Sequence, residues 1–302
     1  MGHISPSVFD CVGATPLVRL NRVGRETPRA EVCMKLEMKN PGGSLKDRPA
    51  RAMILGAEAR GELVPGSVII EATSGNTGVS LAMLAAVRGY RCIVVMPEDM
   101  SLERRYLLRA YGAEVELTPK NRGMRGAVDR AEQLHAALPK AMLVRQFENR
   151  DNVGAHATTT ADELWDQTGG RIDVLVVGVG TGGTLTGTAG ALRKRLPTLR
   201  VVAVEPAKAA ALAGRPFAPH AIQGIGAGFV SSLTDRSLID DAVAVEDDDA
   251  LQYAALLART EGILGGPSSG ANLYVALAEA RRLGPDARVV TFACDTGERY
   301  LL

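Results

Sequence analysis

The sequence predicts an α/β protein with two three-layer domains, each built on a mostly parallel sheet. Short β-branched runs such as 174–178 alternate with longer segments of helical period along the whole chain. Glycine-rich turns follow several of these runs, and 302 residues suffice for two medium-sized cores. We place the domains at 1–148 and 149–302, with early strands near 14–38 as candidates for the second sheet. A ligand cleft is expected between the domains.

In the first half, helices alternate with short apolar strands. Glycines close several helices, at Gly61, Gly89 and Gly112, and Pro97 ends a strand. The predicted strands are 14–20, 30–38, 67–71, 91–96, 113–117 and 142–147. The predicted helices are 48–60, one that ends at 87, 101–110 and 123–138. This alternation favours a parallel sheet with right-handed crossovers.

The second half repeats the scheme. Its predicted strands are 174–178, 200–205 and 287–293. Its predicted helices are 155–167, one that ends near 196, 248–261 and one that opens at 267. Residues 206–229, rich in Gly, Ala and Pro, are predicted to be irregular.

Composition excludes several classes of protein. Net charge is +1 and aromatic content is 4%, which argues against a nucleic-acid-binding surface. No apolar run approaches the roughly 20 residues of a membrane span, and the first residues lack a signal-peptide pattern. The four histidines lack metal-ligand spacing, so no metal site is predicted. The cysteines, expected to be buried free thiols of a cytoplasmic protein, are Cys11, Cys33, Cys92 and Cys294.

Residues 40–49 (NPGGSLKDRP) are predicted to be a loop that leads into a helix. Ser44 and Asp47 are both plausible caps, and Pro49 favours the later start with Asp47 near the N-cap. In either case Lys46 lies at a helix N-terminus, where the dipole disfavours its charged form. A readily deprotonated lysine suits imine chemistry, whereas such a lysine taken alone is more often a solvated loop residue.

A second glycine-rich loop lies between a predicted strand and a helix. It consists of Gly180, Thr181, Gly182, Gly183 and Thr184. Its amides and the helix N-terminus can hold an anion. The same stretch formally matches the dinucleotide fingerprint, with Glu205 where a ribose-binding acid would stand. A lone phosphate and a dinucleotide are therefore both open, and the two threonine hydroxyls favour the phosphate.

The turn at 73–78 (TSGNTG) is dense in hydrogen-bond donors and suits a carboxylate, although a capped structural turn is an equal alternative. Ser268, near the start of a late helix, is by itself more often a helix cap than a ligand. The pair Arg104 and Arg105 is expected to lie on a solvated helix face.

Taken together, these segments resemble the pyridoxal-phosphate enzymes of the tryptophan-synthase-β fold type (fold type II), and among them the cysteine synthases, or O-acetylserine sulfhydrylases. The resemblance covers nearly the whole chain. Matching segments occur in the family's order at 13–18, 40–48, 73–78, 96–97, 103–105, 146–147, 180–184, 267–270 and 295–300. The stretch at 222–229 (IQGIGAGF) resembles the branch that uses O-acetylserine rather than cystathionine β-synthase.

The resemblance implies a role for each matching residue. Lys46 would be the Schiff-base lysine and general base, and Asn76 would contact the phenolic oxygen of pyridoxal 5'-phosphate. Gly180 to Thr184 would hold the phosphate, and Ser268 would meet the pyridine nitrogen. The substrate would be held by Thr73, Ser74, Gly75, Thr77, Gln146 and Gly224.

The implied reaction is β-replacement of acetate in O-acetyl-L-serine by sulfide, which gives L-cysteine. Alternatives are a cystathionine-β-synthase-like enzyme, an enzyme of O-phosphoserine, an NAD-binding protein and a protein kept mainly to bind a partner. The resemblance also implies a homodimer that binds the C-terminal peptide of serine acetyltransferase. Departures from the family pattern are Arg150, Ala221, Pro267 and the chain end at Leu302, which leaves dimer packing open.

Overall fold

The computed structural model describes residues 4–23 and 30–301 and contains two β-sheets with flanking helices. The strands are β1 (Leu17–Arg19), β2 (Glu31–Leu36), β3 (Val68–Ala72), β4 (Arg91–Pro97), β5 (Glu114–Thr118), β6 (Ala141–Leu143), β7 (Val174–Gly178), β8 (Arg200–Pro206), β9 (Asp241–Val245) and β10 (Arg288–Ala293). The α-helices are α1 (Asp47–Ala59), α2 (Asn76–Arg88), α3 (Leu102–Ala110), α4 (Gly123–Ala137), α5 (Asp151–Ala155), α6 (Ala161–Thr168), α7 (Gly183–Arg193), α8 (Asp247–Glu261) and α9 (Pro267–Arg282).

The chain forms two compact units. The first comprises residues 1–12 and 46–152, and the second comprises 13–45 and 153–302, to the extent that these ranges are described. The sheet of the first unit is parallel throughout, in the order β5-β4-β3-β6. In the second unit the order is β1-β2-β10-β7-β8-β9, in which β1 is antiparallel to β2 and the other pairs are parallel.

Helices cover both faces of the sheet in the first unit. Ile69 of β3 packs with α1 and α2, whereas Ile70 packs with α4 on the other face. Because parallel strands covered on both faces are apolar at nearly every position, they read as continuous hydrophobic runs. The polar turns at 73–78 and 180–184 follow the carboxyl ends of β3 and β7, which is where such sheets place binding groups.

The predicted class of two mostly parallel sheets with helices is confirmed, and several boundaries differ. The strand predicted at 142–147 ends at Leu143, because Arg145 adopts a left-handed backbone (φ 54°). Helix α5 starts before the predicted 155, since the Asn149 side chain accepts a hydrogen bond from the Asp151 amide. Strand β9, which lies at the edge of its sheet, is not predicted from the sequence.

Three cysteines are buried as predicted, but Cys11 is exposed. Burial raises the pKa of Cys92 to about 12, so this thiol is inert. Within the described ranges, no helix is both long and apolar enough to cross a membrane. The same ranges hold no cluster of three His, Cys, Asp or Glu side chains suited to a metal ion.

Candidate active site

Lys46 lies at the N-terminus of α1, as the sequence predicts. Lys46 is the N-cap residue and Asp47 is the first helical residue, so the helix begins one residue earlier than predicted. The fully buried Asp47 carboxylate accepts a hydrogen bond from the Ser80 hydroxyl of α2 at 2.5 Å. This bond fixes the start of α1, and with it the backbone of Lys46, against the N-terminal half of α2.

The turn at 73–78 is built around the N-terminus of α2. Gly75 is the N-cap residue and Asn76 is the first residue of the helix. The Thr73 hydroxyl accepts a hydrogen bond from the Gly75 amide at 3.1 Å, which folds the turn back on itself. The Thr77 hydroxyl donates to Oε1 of Gln146 at 2.6 Å. The structure therefore brings together the predicted carboxylate-binding residues from two separate segments of the first unit.

Arg104 and Arg105 do not form the solvated helix face that the sequence analysis expects. Arg104 donates a hydrogen bond to the carbonyl oxygen of Ser74, in the turn itself. Arg105 donates to the carbonyl oxygens of Glu98 and Met100, and both arginines are half-buried. The helix α3 is thus held to the turn through a charged donor. Sequence periodicity cannot reveal this contact, because it depends on where the turn places its carbonyl groups.

Glu71 is a second residue that the sequence analysis does not single out. Its side chain is buried at the end of β3, and it accepts hydrogen bonds from the amides of Arg145 (2.9 Å) and Gln146 (3.4 Å). Burial raises the pKa of Glu71 to about 7, an effect that these two amides oppose. Glu71 holds the strained backbone at Arg145 and thereby sets the direction of the Gln146 side chain.

In the second unit, the loop at 180–184 leads into α7 through a left-handed residue. Gly182 is the N-cap of α7 with φ 81°, a conformation that favours glycine. A Cβ atom at Gly180 would lie 2.7 Å from the carbonyl oxygen of Gly224, so this position also requires glycine. The loop presents amide groups at the positive end of a helix of 11 residues, a geometry that favours a bound anion.

The hydroxyl of Thr184 contacts a π-helical turn, His156–Thr160, which joins α5 to α6. His156 is buried, and its Nε2 lies 3.2 Å from Oγ1 of Thr184 while its Nδ1 lies 2.9 Å from Oγ1 of Thr160. Such π-helical insertions recur at functional sites because they displace one side chain from the helical pattern. The helical period of the sequence does not predict this insertion.

Ser268 is not a helix cap. Gly266 is the N-cap of α9 and Pro267 is its first residue, so Ser268 lies within the first turn. Ser268 is 2% exposed, and in the described part of the chain its hydroxyl makes no hydrogen bond. A Cβ atom at Gly224 would lie 3.8 Å from Oγ of Ser268. The second unit thus brings Gly180, Gly224 and Ser268 close together.

The hydrogen bonds that the Glu205 carboxylate makes argue against the dinucleotide alternative. Its buried carboxylate accepts hydrogen bonds from the Leu212 amide at 2.9 and 3.1 Å, and burial raises its pKa. It therefore closes the loop after β8 and has little capacity left for the two hydroxyls of a ribose.

Comparison with known proteins identifies the family. The family model described as "Pyridoxal-phosphate dependent enzyme" matches residues 8–295. The chain belongs to this family. It is similar to a probable cysteine synthase of Bacillus subtilis (strain 168), with 47% identity over 304 residues that cover 100% of this chain and 97% of that protein.

Two solved structures extend the comparison. A hydrogen sulfide-producing enzyme from Fusobacterium nucleatum is 42% identical, has a TM-score of 0.96 and is matched over 100% of this chain and 99% of that chain. O-acetylserine sulfhydrylase isoform 3 from Entamoeba histolytica is 40% identical, has a TM-score of 0.95 and is matched over 99% and 90%. The predicted resemblance and the pyridoxal-phosphate cofactor are confirmed, and the NAD alternative is wrong.

The residues of this pyridoxal-phosphate-dependent enzyme fit the cofactor. The amide groups at the start of α7 suit its phosphate, and the Ser268 hydroxyl suits a ring nitrogen. Next to Gly182, the Oγ1 atom of Thr234 is buried and makes no hydrogen bond in the described part of the chain. Polar groups of this kind favour a polar ligand in the loop, since an unsatisfied buried hydroxyl is destabilising.

Proposed function

We propose that this protein is a cysteine synthase, which replaces the acetate of O-acetyl-L-serine by sulfide and yields L-cysteine and acetate. The observation that carries the proposal is that a buried serine, Ser268, lies in the first turn of α9. A serine, unlike an aspartate, does not hold the pyridine nitrogen of the cofactor in its protonated form. A moderate electron sink favours prompt loss of a β-leaving group over transamination.

In this proposal each of the predicted cofactor-binding residues has a separate role. Lys46 forms the covalent link, Asn76 donates to the phenolic oxygen and Ser268 meets the pyridine nitrogen. The phosphate is held by the amides and hydroxyls of Gly180, Thr181, Gly182, Gly183 and Thr184. Bound pyridoxal phosphate supplies the electron sink that stabilises negative charge at the substrate's α-carbon.

The substrate carboxylate is placed on the turn at 73–78. We assign it to Thr73, Ser74, Gly75, Thr77 and Gln146, with Gly224 lining the substrate. The Thr77–Gln146 hydrogen bond supports this assignment, because it fixes the Gln146 amide group beside the turn before substrate arrives. Arg104 stabilises the turn through its hydrogen bond to the Ser74 carbonyl.

Proton transfer is assigned to Lys46. Its neutral amine removes the α-proton of O-acetylserine, and acetate leaves the β-carbon with the bonding electron pair. Sulfide then adds to the β-carbon, and Lys46 returns the proton to the α-carbon. Because acetate departs before sulfide adds, the kinetics are expected to be ping-pong.

The test is chemical trapping combined with turnover. Borohydride reduction of the holoenzyme should attach the cofactor to the peptide that contains Lys46, and Lys46→Ala should lose both this attachment and cysteine synthesis. Lys39→Ala, at an exposed lysine a few residues earlier, is the matched control and should behave as the wild type. Full cysteine synthesis by Lys46→Ala would refute the proposed role.

A second candidate reaction comes from the similarity to a hydrogen sulfide-producing enzyme. The same residues would remove sulfide from cysteine and accept a different nucleophile. The cystathionine-β-synthase-like and O-phosphoserine alternatives likewise keep the site and change the leaving group. Initial rates with O-acetylserine, serine, phosphoserine and cysteine at equal concentration separate these candidates, and the proposed function requires O-acetylserine to be preferred by at least about tenfold.

We further propose a cytoplasmic homodimer that binds the C-terminal peptide of serine acetyltransferase, as the resemblance implies. The C-terminal carboxylate of such a peptide is the same chemical group that the turn at 73–78 is proposed to hold. A peptide that ends in a free carboxylate should therefore compete with O-acetylserine, whereas its amidated form should not. Sedimentation of the purified protein measures the oligomeric state.

A further inference from the structure

The segment Cys294–Tyr300, here called the C-terminal segment, contains the family-matching motif at 295–300, and the roles proposed above leave it without a function. It follows β10 and includes a 3-10 turn at Gly297–Tyr300. Cys294, Asp295 and Gly297 are buried, and Glu298 is its one exposed residue. Its contacts within the second unit run to two different loops.

The first of these loops is 42–45, which immediately precedes Lys46 in the chain. The Leu45 amide donates to the Cys294 carbonyl at 2.8 Å, and the Thr296 amide donates to the Gly43 carbonyl at 3.1 Å. Arg299 donates a hydrogen bond to the carbonyl oxygen of Gly42. Three hydrogen bonds from one short segment therefore hold three of the four residues that lead into Lys46.

The glycine at 43 is required by this arrangement. Gly43 has φ 75°, and a Cβ atom there would lie 2.9 Å from Nη2 of Arg299. The guanidinium group thus occupies the space that a side chain at this position would need. Because a charged donor forms a stronger hydrogen bond than a neutral one, Arg299 is the strongest of the three links to the loop.

The second loop is 264–267, which leads into α9. The Gly266 amide donates to the Asp295 carbonyl at 3.2 Å, and the Gly297 amide donates to the Leu264 carbonyl at 2.8 Å. The Tyr300 hydroxyl donates to Oδ2 of Asp295. A Cβ atom at Gly266 would lie 2.4 Å from Oδ1 of Asp295 and 2.5 Å from the Tyr300 ring, so these side chains pack directly on the N-cap of α9.

We propose that Arg299 and Tyr300 are positioning residues that fix the loop before Lys46 relative to the N-terminus of α9, where Ser268 lies. The inference rests on the proposed roles of Lys46 and Ser268. The two loops form backbone bridges to adjacent residues of the C-terminal segment, Ser44 to Asp295 and Gly265 to Thr296. A displacement of one loop is therefore transmitted to the other, so substitutions at Arg299 and Tyr300 are expected to change how fast the cofactor is lost.

The experiment compares how fast holoenzymes lose cofactor. Arg299→Gln removes the charge and the forked donor, Arg299→Lys keeps the charge, and Tyr300→Phe removes only the hydroxyl. Arg259→Gln, at an exposed arginine on α8, is the matched control. The rate of cofactor loss after dilution into cofactor-free buffer is followed by visible absorbance, together with borohydride trapping at Lys46 and the urea midpoint of the apo form.

Arg299→Gln should lose cofactor about tenfold faster than the wild type, which equals about 1.4 kcal/mol and matches the low end for a hydrogen bond to a charged group. Arg299→Lys should recover part of this loss, Tyr300→Phe should lose cofactor about threefold faster, and Arg259→Gln should match the wild type. A purely structural role would lower the urea midpoint of the apo form without changing the rate of cofactor loss, and that result would overturn the proposal.

Two further outcomes are decisive. If Arg299→Gln does not fold, the Tyr300→Phe variant decides, and a wild-type rate of cofactor loss would overturn the proposal. If borohydride attaches the cofactor of the wild type to another lysine, the proposed role of Lys46 fails first. Trapping at Lys46 in the wild type with unchanged cofactor loss in both variants rejects the positioning role alone.

Discussion

Substitution of Glu71 by glutamine should change how the stability of the protein depends on pH. Glu71 is 4% exposed, and burial raises its pKa from 4.5 to about 7. The unfolded chain therefore releases this proton near pH 4.5, whereas the folded chain keeps it up to about pH 7. Between these values the folded state binds more protons, so this group makes the free energy of unfolding fall as pH rises.

The size of the effect follows from the difference of about 2.5 pKa units, which corresponds to about 3 kcal/mol. The resulting decrease in the free energy of unfolding is complete above about pH 7 and absent below about pH 4.5. The ionised carboxylate is retained in the fold by the two amides at Arg145 and Gln146, which oppose the effect of burial. Glu71→Gln cannot titrate, so its stability should not contain this term.

The assay is urea denaturation of the wild type, Glu71→Gln and the control Glu132→Gln between pH 4.5 and pH 8. Glu132 is an exposed residue of α4, and its substitution should leave the pH profile unchanged. The difference in unfolding free energy between wild type and Glu71→Gln should shift by about 3 kcal/mol across this range. A constant difference would refute the reasoning, because it would show that Glu71 ionises alike in both states.

Three other substitutions test the site and the core. Gly180→Ala brings a methyl group to 2.7 Å from a backbone carbonyl and should weaken cofactor binding at least about tenfold in equilibrium dialysis. Arg104→Ala should raise KM for O-acetylserine several-fold with unchanged cofactor content, whereas Arg109→Ala on the same helix should not. Lys35→Met removes the fully buried ammonium group that lies 2.6 Å from the half-buried Glu163 carboxylate, and it should cost about 3 kcal/mol in urea denaturation.

Strand and helix identities could be predicted because local pattern and packing agree in this chain. The run at 174–178 is apolar throughout, and it forms the central strand β7 with those same bounds. The irregular features lie where a side chain far along the sequence decides the backbone. Arg145 leaves the strand because Glu71, on another strand, accepts its amide.

In the candidate site too, the features set by local sequence could be predicted and those set by distant residues could not. The loops at 73–78 and 180–184 could be predicted, since glycines and hydroxyls after a strand are a local signal. The supporting contacts of Arg104 and His156 could not, because each depends on a neighbour brought close only by the fold. Residue type alone predicts a solvated position for Arg104, whereas in the structure its guanidinium group donates a hydrogen bond to the Ser74 carbonyl of the turn.

The sheet order of the second unit has a consequence for the order of events during synthesis. Its strand β10 is synthesised after the other described strands of the sheet, yet it lies in the middle of the sheet between β2 and β7. The first unit is almost continuous in sequence and can fold while the rest is still being made, since domains fold largely as units. A nascent chain therefore holds Lys46 in place long before the phosphate loop has its supporting sheet, and cofactor loading must await the synthesis of β10.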